Sequence, residues 1–466
     1  MPEILDAKKT QIFETTPIPR AVVSLAVPAI IGQAITIIYN LADTYFIGQL
    51  NDNSQVAAVT LCMPVFLALT SISNIFGVGA GSLLSQYLGV QNYKDVRKVS
   101  ALSFWSGIVV SVLFSLSVYL FMTPILNFVG ASPETWTHCV EYMTWTVLIG
   151  GPFTVLNPLM GYLVRSEGNA FQASFGIGLG GVLNILLDPL LIFVFHLGVR
   201  GAAMATCFSN IIAMVYFLCY FQINARRGSS FISLKPQKQM LDFGLLSEIV
   251  TIGLPSFFLS IMSTVSNMAV NRFMAPYGSA ALAAIGVSKK INAMAFSISQ
   301  GLGQGILPLI AYNHSSGNTK RMRGSLLFAL LIGGFFSGLC VILFRLAPHF
   351  VISCFMKNEE AVALGGAFLK VICFAVPTTT ITCLGITAFQ AVGQKRQPFI
   401  VSVMRKGTID VFFMTILTRT SLGMYGVVWA TPLSEICTVS TILCMLYIFF
   451  FRKSRQQRNE AVKASS

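Results

Sequence analysis

Residues 21–47 read AVVSLAVPAIIGQAITIIYNLADTYFI, an apolar run whose only charged residue is Asp43. A helix needs about 20 mostly apolar residues to cross the hydrocarbon layer of a membrane, so this run is long enough to span it once. Pro28 within the run does not exclude a helix, because neighbouring helices in a membrane bundle can satisfy the backbone groups that proline leaves free. The run therefore predicts a membrane-embedded helix.

Eleven further runs of this kind predict an all-α integral membrane protein with 12 transmembrane helices. The predicted spans are 21–47, 55–87, 99–123, 137–163, 170–195, 199–222, 245–275, 280–312, 325–346, 361–391, 398–419 and 423–451. The composition agrees, since 55% of the 466 residues are hydrophobic and 10% are charged, against about 25% charged in a soluble domain. These figures exclude a soluble multidomain protein and a disordered chain.

The basic residues predict the orientation of the spans. With the N-terminus in the cytoplasm, the inner segments hold 21 of the 31 Lys and Arg residues, and the outer loops hold only Arg200, Lys357 and Arg419. Because cytoplasmic loops carry an excess of Lys and Arg, we predict a multi-pass protein of the inner (plasma) membrane with both termini in the cytoplasm. The charges are scattered over many loops and tails, which argues against a nucleic-acid partner.

The chain matches itself at an offset of 225–227 residues, which predicts a duplication. Ser24–Pro28 lies over Thr251–Pro255, and Thr206 falls on Thr431. Each copy holds six predicted spans, so both enter the membrane from the same side and are related by an axis along its normal. We predict two six-helix lobes that form a V-shaped pseudo-two-fold bundle. Glycine-rich stretches recur in both copies (Gly77–Gly81 and Gly301–Gly305), and we interpret them as sites of close helix packing rather than phosphate loops.

The duplication and the polar stretches divide the chain into five predicted regions. They are a cytoplasmic N-terminal tail (1–20), an N-lobe (21–223, TM1–TM6), a cytoplasmic inter-lobe linker (224–244), a C-lobe (245–451, TM7–TM12) and a cytoplasmic basic tail (452–466). Internal repeats of this kind are a common plan of secondary transporters.

Polar residues within the N-lobe spans are candidate functional residues, because a charge at mid-membrane costs at least about 2.5–3.5 kcal/mol. They are Asp43 with Asn40 and Tyr39 on the first span, Asp188 with Asn184 on the fifth, and Thr206 near the start of the sixth. A pair of carboxylates in a pocket of low dielectric can hold a proton near neutral pH, or can coordinate a small hard cation with amide and hydroxyl oxygens. We interpret the set as a cation- or proton-coupling site; the alternative is that it only hydrogen-bonds helices together.

The C-lobe spans contain fewer candidates. Asp410 has Lys406 four residues before it and Arg405 five residues before it, which predicts an ion pair on the helix surface. Glu435 lies midway along the last span, where it is a candidate for a substrate cleft that attracts a cation. The chain shows no His or Cys pair at ligand spacing and no Ser-His-Asp pattern at one depth. We therefore predict no zinc, no cofactor apart from a coupling ion, and no enzymatic activity.

Several segments resemble the multidrug and toxic compound extrusion (MATE) family. They are Tyr39–Gly48 (YNLADTYFIG), Phe76–Ser82 (FGVGAGS), Asn184–Phe193 (NILLDPLLIF), Gly198–Thr206 (GVRGAAMAT), Gln300–Asn313 (QGLGQGILPLIAYN) and Gln390–Gln394 (QAVGQ). The resemblance covers nearly the whole chain and is greatest to the bacterial MepA-like branch. It implies twelve helices in two lobes, and export of amphipathic, often cationic compounds in exchange for protons or sodium ions.

The resemblance also assigns residues. It implies that Asp43, Asn184 and Asp188, with Thr206 nearby, are the cation site, and that any sodium ion is bound by Asp43, Asp188 and Asn184. Some family members use acids on the seventh and tenth helices, but this chain has none well inside those spans. Asn267 and Gln300 are, with Glu435, the residues expected at a substrate cleft.

We therefore expect a monomeric multidrug or organic-cation efflux antiporter that works by alternating access and is coupled to H⁺ or Na⁺. Its expected partners are small amphipathic substrates and the lipid bilayer. A flippase for lipids or lipid-linked saccharides, or a dedicated metabolite exporter, is the alternative. A flippase cleft would gather basic residues for phosphate, and basic residues within the spans are few: Arg272, Lys289, Lys290, Arg345, Lys370, Arg405 and Lys406.

Overall fold

The structure is a computed structural model that describes residues 10–50, 52–236, 242–356 and 358–452. The predictions that rest on Lys357, on most of the basic tail, on part of the linker and on residues 1–9 lie outside these ranges. Within them the chain is helical and has no β-strand. The prediction of an all-α fold is confirmed.

The helices follow the predicted spans closely. The N-half contains α1 (Ile18–Gly48), α2 (Asn53–Gly89), α3 (Tyr93–Leu120), α4 (Met122–Val129), α5 (Pro133–Met143), α6 (Gly151–Ser166), α7 (Ala170–Pro189) and α8 (Gly198–Arg226). The C-half contains α9 (Phe243–Met274), α10 (Ser279–Ser315), α11 (Thr319–Leu346), α12 (Pro348–Ser353), α13 (Glu359–Ile372), α14 (Ala375–Ala391), α15 (Arg396–Val403), α16 (Ile409–Leu417) and α17 (Met424–Leu446). Turns of π-helix at Thr144–Ile149, Leu190–Val194, Met404–Thr408 and Tyr447–Arg452, and a 3₁₀ turn at Ala275–Tyr277, interrupt or extend these helices.

Among the described residues, nine helices are long and apolar enough to cross a membrane, and the number rises to 11 if each of two bent pairs is one span. The pairs bend by 48° between Ile149 and Gly151 and by 47° between Ile372 and Ala375. The remaining predicted span, 398–419, corresponds to α15, a π turn and α16, which carry Arg405, Lys406 and Asp410. A multi-pass helical architecture is thus present, while the count of twelve stays a prediction.

The two halves pack most closely through α1 against α10 and α2 against α9. Glycine makes this approach possible, because a Cβ atom on Gly253 would lie 1.9 Å from the Ile75 carbonyl oxygen and one on Gly79 would lie 2.0 Å from that of Ile249. On the other pair, a Cβ on Gly301 would lie 2.5 Å from the Ile30 Cα. The interpretation of the glycine-rich stretches as close-packing sites is confirmed. All these contacts lie toward the helix ends that are predicted to be cytoplasmic.

A segment before α1 joins the halves at the same end. The Phe13 ring stacks on Tyr312 of α10 with ring centroids 5.0 Å apart, and the Phe13 carbonyl accepts a hydrogen bond from Asn313 Nδ2 at 3.1 Å. Arg321 of α11 donates from Nη2 to the Ile12 carbonyl at 3.1 Å. On the N-half side, a Cβ on Gly168 would lie 3.2 Å from the Phe13 ring. Residues 10–16 therefore contact both halves, and we call them the N-terminal strap.

Candidate functional site

A buried polar cluster lies within the N-half, on α7 and α8. Asn184 and Asp188 are one turn apart on α7 and are 2% and 0% exposed. The Asn184 amide donates from Nδ2 to Asp188 Oδ1 and to Thr206 Oγ1 on α8, each at 3.4 Å. Asp188 is followed by Pro189 and a π turn, Leu190–Val194, which changes the helix geometry at the carboxylate. The structure thus brings together three of the residues that the sequence indicated.

Asp43 reaches this cluster from α1. Its carboxylate is close enough to that of Asp188 for the two to interact electrostatically, and both act on the buried Tyr142 of α5. Tyr39 packs between α1 and α7, because a Cβ on Gly181 would lie 2.9 Å from its ring. The first span therefore contributes a carboxylate and an aromatic wall to the same pocket.

Three oxygen atoms of this pocket are buried and accept no hydrogen bond from any described residue. They are Asp43 Oδ1, Asp188 Oδ2 and Asn184 Oδ1. Buried acceptors are nearly always satisfied in folded proteins, since leaving one unpaired costs about 1–3 kcal/mol. Carboxylate and amide oxygens are the ligands that protons and hard cations prefer, so the pocket has the donor set for either ion.

Asn40 lies at the exposed edge of the cluster. Its side chain is exposed and donates from Nδ2 to the Thr36 carbonyl of its own helix at 2.8 Å. Asn40 also acts on the Tyr39 hydroxyl, so the expectation that Tyr39, Asn40 and Asp43 form one polar face is supported for Tyr39 and Asp43 and stays a prediction for Asn40.

The polar network continues beyond the predicted residues. Asn157 on α6 donates to Asn210 Oδ1 on α8 at 2.9 Å, and Asn210 donates to the Thr206 carbonyl at 2.9 Å. Sequence analysis missed Asn157, Asn210 and Tyr142. Both amides lie within apolar spans, and that alone is a signal, because an amide in a membrane helix needs a polar partner.

The acids of the C-half have different partners from those expected. Arg405 donates from Nε to both Glu435 oxygens at 2.8 and 3.0 Å, and Lys406 Nζ lies 3.4 Å from Glu435 Oε1. Glu435 is 0% exposed, so it is neutralised inside the bundle rather than open to a cleft. Asp410 forms no ion pair with either cation within the described residues; it accepts a hydrogen bond from Ser266 and one from Thr431 at 3.5 Å.

Asp410 occupies a position related to that of Asn184. Thr431 lies 225 residues after Thr206, and Asp410 lies 226 residues after Asn184. Asn184 and Thr206 are hydrogen-bonded across two helices of the N-half, and Asp410 and Thr431 are hydrogen-bonded across two helices of the C-half. The C-half therefore repeats this hydrogen-bonded pair, but the repeat offset places no acid opposite Asp43 or Asp188, and cations lie near the pair.

The two other cleft candidates line cavities. Asn267 lies on the wall of a cavity of about 370 Å³ in the C-half, where its Oδ1 accepts a hydrogen bond from Lys289 Nζ at 3.4 Å. Gln300 lines a smaller cavity of about 60 Å³, whose walls come from both halves and include Asn74, Ser260 and Gln390. Gln300 is thus at the interface between the halves, and Asn267 is within one of them.

Similarity to a known protein family identifies the family of this chain. The family model MatE matches residues 28–190 and 255–430, two segments whose first residues are 227 apart. The chain belongs to the MatE family. The resemblance noted from the sequence is confirmed, and the two matched segments begin at the offset of the internal repeat.

MatE relatives cover nearly the whole chain. The multidrug export protein MepA of Staphylococcus aureus (strain MSSA476) is 32% identical over 441 residues, which are 94% of this chain and 95% of that protein. MepA of Staphylococcus haemolyticus (strain JCSC1435) is 31% identical over the same shares. These relatives are export proteins, so the prediction that the chain is not an enzyme is confirmed.

A solved MatE structure has the same fold. It is described as the outward-facing conformation of a multidrug resistance MATE family transporter of the MOP superfamily, and it matches with a TM-score of 0.90 at 21% identity over 96% of this chain and 99% of that one. Nearly every helix of the chain therefore has a counterpart in that transporter fold.

Proposed function

We propose that this chain is a secondary active efflux antiporter that exports amphipathic, mainly cationic compounds in exchange for protons or sodium ions. It would have twelve membrane spans in two six-helix lobes, separated at the linker 224–244, and would alternate access between the two sides. The relatives named as multidrug export proteins support the class of substrate.

The observation that carries this proposal is the set of three unpartnered oxygens of Asp43, Asp188 and Asn184. If these residues only held helices together, donors from the neighbouring helices would satisfy these oxygens. A coupling site must instead leave them available to an ion that binds and is released. The N-half has the needed ligands at one depth, with Thr206 and Tyr142 beside them.

Coupling follows if the ion and the substrate favour different conformations. An ion that neutralises Asp43 and Asp188 removes the charge repulsion between them, and thereby stabilises the packing in which the two carboxylates are closest. The substrate must bind more tightly to the other state, since a ligand shifts an equilibrium only by its difference in affinity. One charge that crosses 100 mV supplies about 2.3 kcal/mol for this exchange.

We propose that the structure represents the state open to the outside. The halves are joined at the predicted cytoplasmic ends, through the glycine contacts of α1, α2, α9 and α10 and through the N-terminal strap. The proposed location is the plasma membrane with cytoplasmic termini, and the proposed working unit is the monomer.

The test is ethidium efflux from energised cells, with the wild type beside Asp188→Asn. We expect the wild type to export ethidium, and we expect export to stop with the substitution and with collapse of one of the two ion gradients. Glu141→Gln is the matched control, because that carboxyl is 38% exposed and pairs with His138 outside the pocket. Full export by Asp188→Asn, or equal loss in Glu141→Gln, would overturn the assignment.

A further inference from the structure

The cavity of about 370 Å³ in the C-half gathers positive charge. Its walls include Lys289 and Lys290 of α10, and Arg405 and Lys406 of the π turn Met404–Thr408. These are four of the seven basic residues within the spans, and they form two consecutive pairs that are distant from each other in the sequence but line one cavity. Their clustering was not predicted.

The carboxylates nearby do not balance these cations. Glu435 pairs with Arg405 and Lys406, and Asp410 is the other acid within electrostatic reach, where it acts on Lys289. Four cations against two carboxylates leave a surplus of two positive charges around one cavity. Charges in the interior of a membrane protein are costly unless they are paired, so an anion that enters here would be stabilised.

Two of the cations retain hydrogen-bonding capacity. Arg405 is 1% exposed, and its Nη1 donates to no described residue. Lys289 can donate three hydrogen bonds, and the structure gives it one long contact, to Asn267 Oδ1 at 3.4 Å. Lys289 and Lys406 line the same cavity, and their like charges act on each other there.

The rest of the wall combines apolar side chains with uncharged polar ones. Arg405 lies over the Phe296 ring with its guanidinium carbon 5.1 Å from the ring centroid, and Val270, Ala293 and Ile372 add further apolar surface. Amides and hydroxyls come from Ser263, Ser266, Asn267, Asn271, Asn292, Thr379 and Thr431. A cavity of this size is within the usual range for small-molecule sites, about 300–1,000 Å³. Its walls suit a ligand that has an aromatic or aliphatic body and one oxyanion.

We propose that this cavity binds the carboxylate or sulfonate group of an amphipathic organic anion or zwitterion, held by Lys289, Lys406 and Arg405. That such compounds are exported rests on the proposed function. That they bind here rests on the cavity alone. Together with the acidic pocket of the N-half, it gives the molecule one pocket for each sign of charge.

Binding is measured by isothermal titration calorimetry of the full-length protein in a non-ionic detergent. The probes are 1-naphthaleneacetate and two analogues of the same shape, 1-naphthaleneethanol (neutral) and 2-(1-naphthyl)ethylamine (cationic). We expect the anion to bind at least tenfold more tightly than the neutral analogue, since one charge-assisted hydrogen bond is lost with the charge. Equal affinity for the three probes would overturn the proposal.

Substitutions locate the site. Lys289→Gln and Lys406→Gln should each weaken binding of the anion about tenfold or more without changing the affinity for the alcohol, and Lys289→Arg should retain it. Lys370→Gln, on an exposed position outside the cavity, is the control and should bind as the wild type does. Loss of affinity in Lys370→Gln alone, or in none of the variants, would contradict the assignment. Two independent lysines are used so that one unstable variant does not decide the result.

Two further measurements distinguish this proposal from the alternatives. Ethidium export by a protein that does not bind the anion would leave the proposed function intact and overturn this site. Flipping of fluorescently labelled phosphatidylglycerol in proteoliposomes, if it is lost in Lys289→Gln, would assign the cavity to a lipid phosphate instead of a soluble anion.

Discussion

At the scale of residues, the N-half pocket is built from side chains that need an additional partner. Asn184 holds Asp188 and Thr206 in place with two bonds from one amide nitrogen, and its own oxygen is left free. This arrangement orients the carboxylate and at the same time offers a ligand to an ion. The residue therefore has both a positioning and a binding part in the proposed mechanism.

Asn184→Ala should reduce coupled ethidium efflux at least tenfold, because it removes a ligand oxygen and releases Asp188. The loss of its hydrogen bonds should also lower the free energy of unfolding by about 1–2 kcal/mol. Asn40→Ala is the matched control, since Asn40 is exposed and bonded to its own helix. Initial efflux rates measure the difference, and an equal loss in both variants would contradict the placement.

Arg405→Gln should destabilise the protein by about 1.5–3 kcal/mol, because it removes charge-assisted hydrogen bonds from the buried Glu435 and leaves that carboxylate with Lys406 alone. The double variant Arg405→Gln with Glu435→Gln should recover part of this loss, since the fully buried carboxylate is gone and Lys406, which is 18% exposed, keeps part of its hydration. Thermal melting of the purified variants measures both. A double variant that is less stable than Arg405→Gln would show that the ion pair is not the source of the effect.

The sequence identified Asp43, Asp188, Asn184 and Thr206, because polar residues are rare in apolar spans and each requires a reason. Asn40 and Tyr39, three and four residues before Asp43, lie on opposite sides of it, about 60° and 40° away around the helix, and the Asn40 side chain is exposed. Only Tyr39 is on the side that faces α7. The sequence also suggested that Asp410 pairs with Lys406 and Arg405. In the structure Glu435, thirty residues after Arg405, binds these two cations instead.

At the scale of elements, contact between the halves depends on glycine. Gly253 on α9 has the Ile75 carbonyl of α2 where a side chain would be, while Gly334 on α11 has nothing within 4 Å of that position. The two glycines are both within helices, so they differ in the partner helix and not in the local backbone. This makes them a matched pair for an experiment.

Gly253→Ala should separate α2 from α9 and shift the protein toward the state that is open to the cytoplasm. Labelling of Ser260→Cys, at the small cavity between the halves, reports the shift when a membrane-impermeant maleimide is added from the cytoplasmic side. The background should lack the exposed cysteines Cys219, Cys354, Cys437 and Cys444. Labelling should rise in Gly253→Ala and stay low in Gly334→Ala; no difference between the two would contradict the role of the glycine.

Sequence periodicity and length located the helices well but did not show their interruptions. The π turn at Met404–Thr408 places consecutive cations, Arg405 and Lys406, on one carboxylate. A search for apolar runs cannot show this, because it counts the two charges as evidence against a membrane helix. It also takes no account of Glu435, their partner on α17. The bend between α13 and α14 lies one turn before Pro377, which has no amide N–H to donate to the Cys373 carbonyl.

At the scale of the whole molecule, the N-terminal strap joins the two halves at the predicted cytoplasmic face, where the linker packs on the N-half. Residues 230–232 bind Glu167 at the end of α6, with the Phe231 amide donating at 2.6 Å. The strap connects this half to α10 and α11. In the proposed change from one open state to the other, these contacts must therefore break or move together with the helices that form them.

Arg321→Gln should loosen the strap, because it removes donors to the carbonyls of Ile12, Phe13 and Thr16. Hydrogen exchange of residues 10–16 should become faster, and the melting temperature should fall by a few degrees, since bonds from a charged group contribute about 1.5–3 kcal/mol each at most. Lys320→Gln, exposed on the same turn, is the control. Unchanged exchange in Arg321→Gln would show that the strap is held by other contacts.

The central claim is that an ion bound by Asp43, Asp188 and Asn184 is exchanged for the substrate. The most direct test uses the purified protein in proteoliposomes, where an inward ethidium gradient is imposed and the outward flow of protons and of sodium ions is recorded separately. We predict that ethidium drives counterflow of one of these ions in the wild type, and that Asp188→Asn abolishes the counterflow. Ethidium transport with no ion movement in the wild type, or undiminished counterflow in Asp188→Asn, would contradict the account.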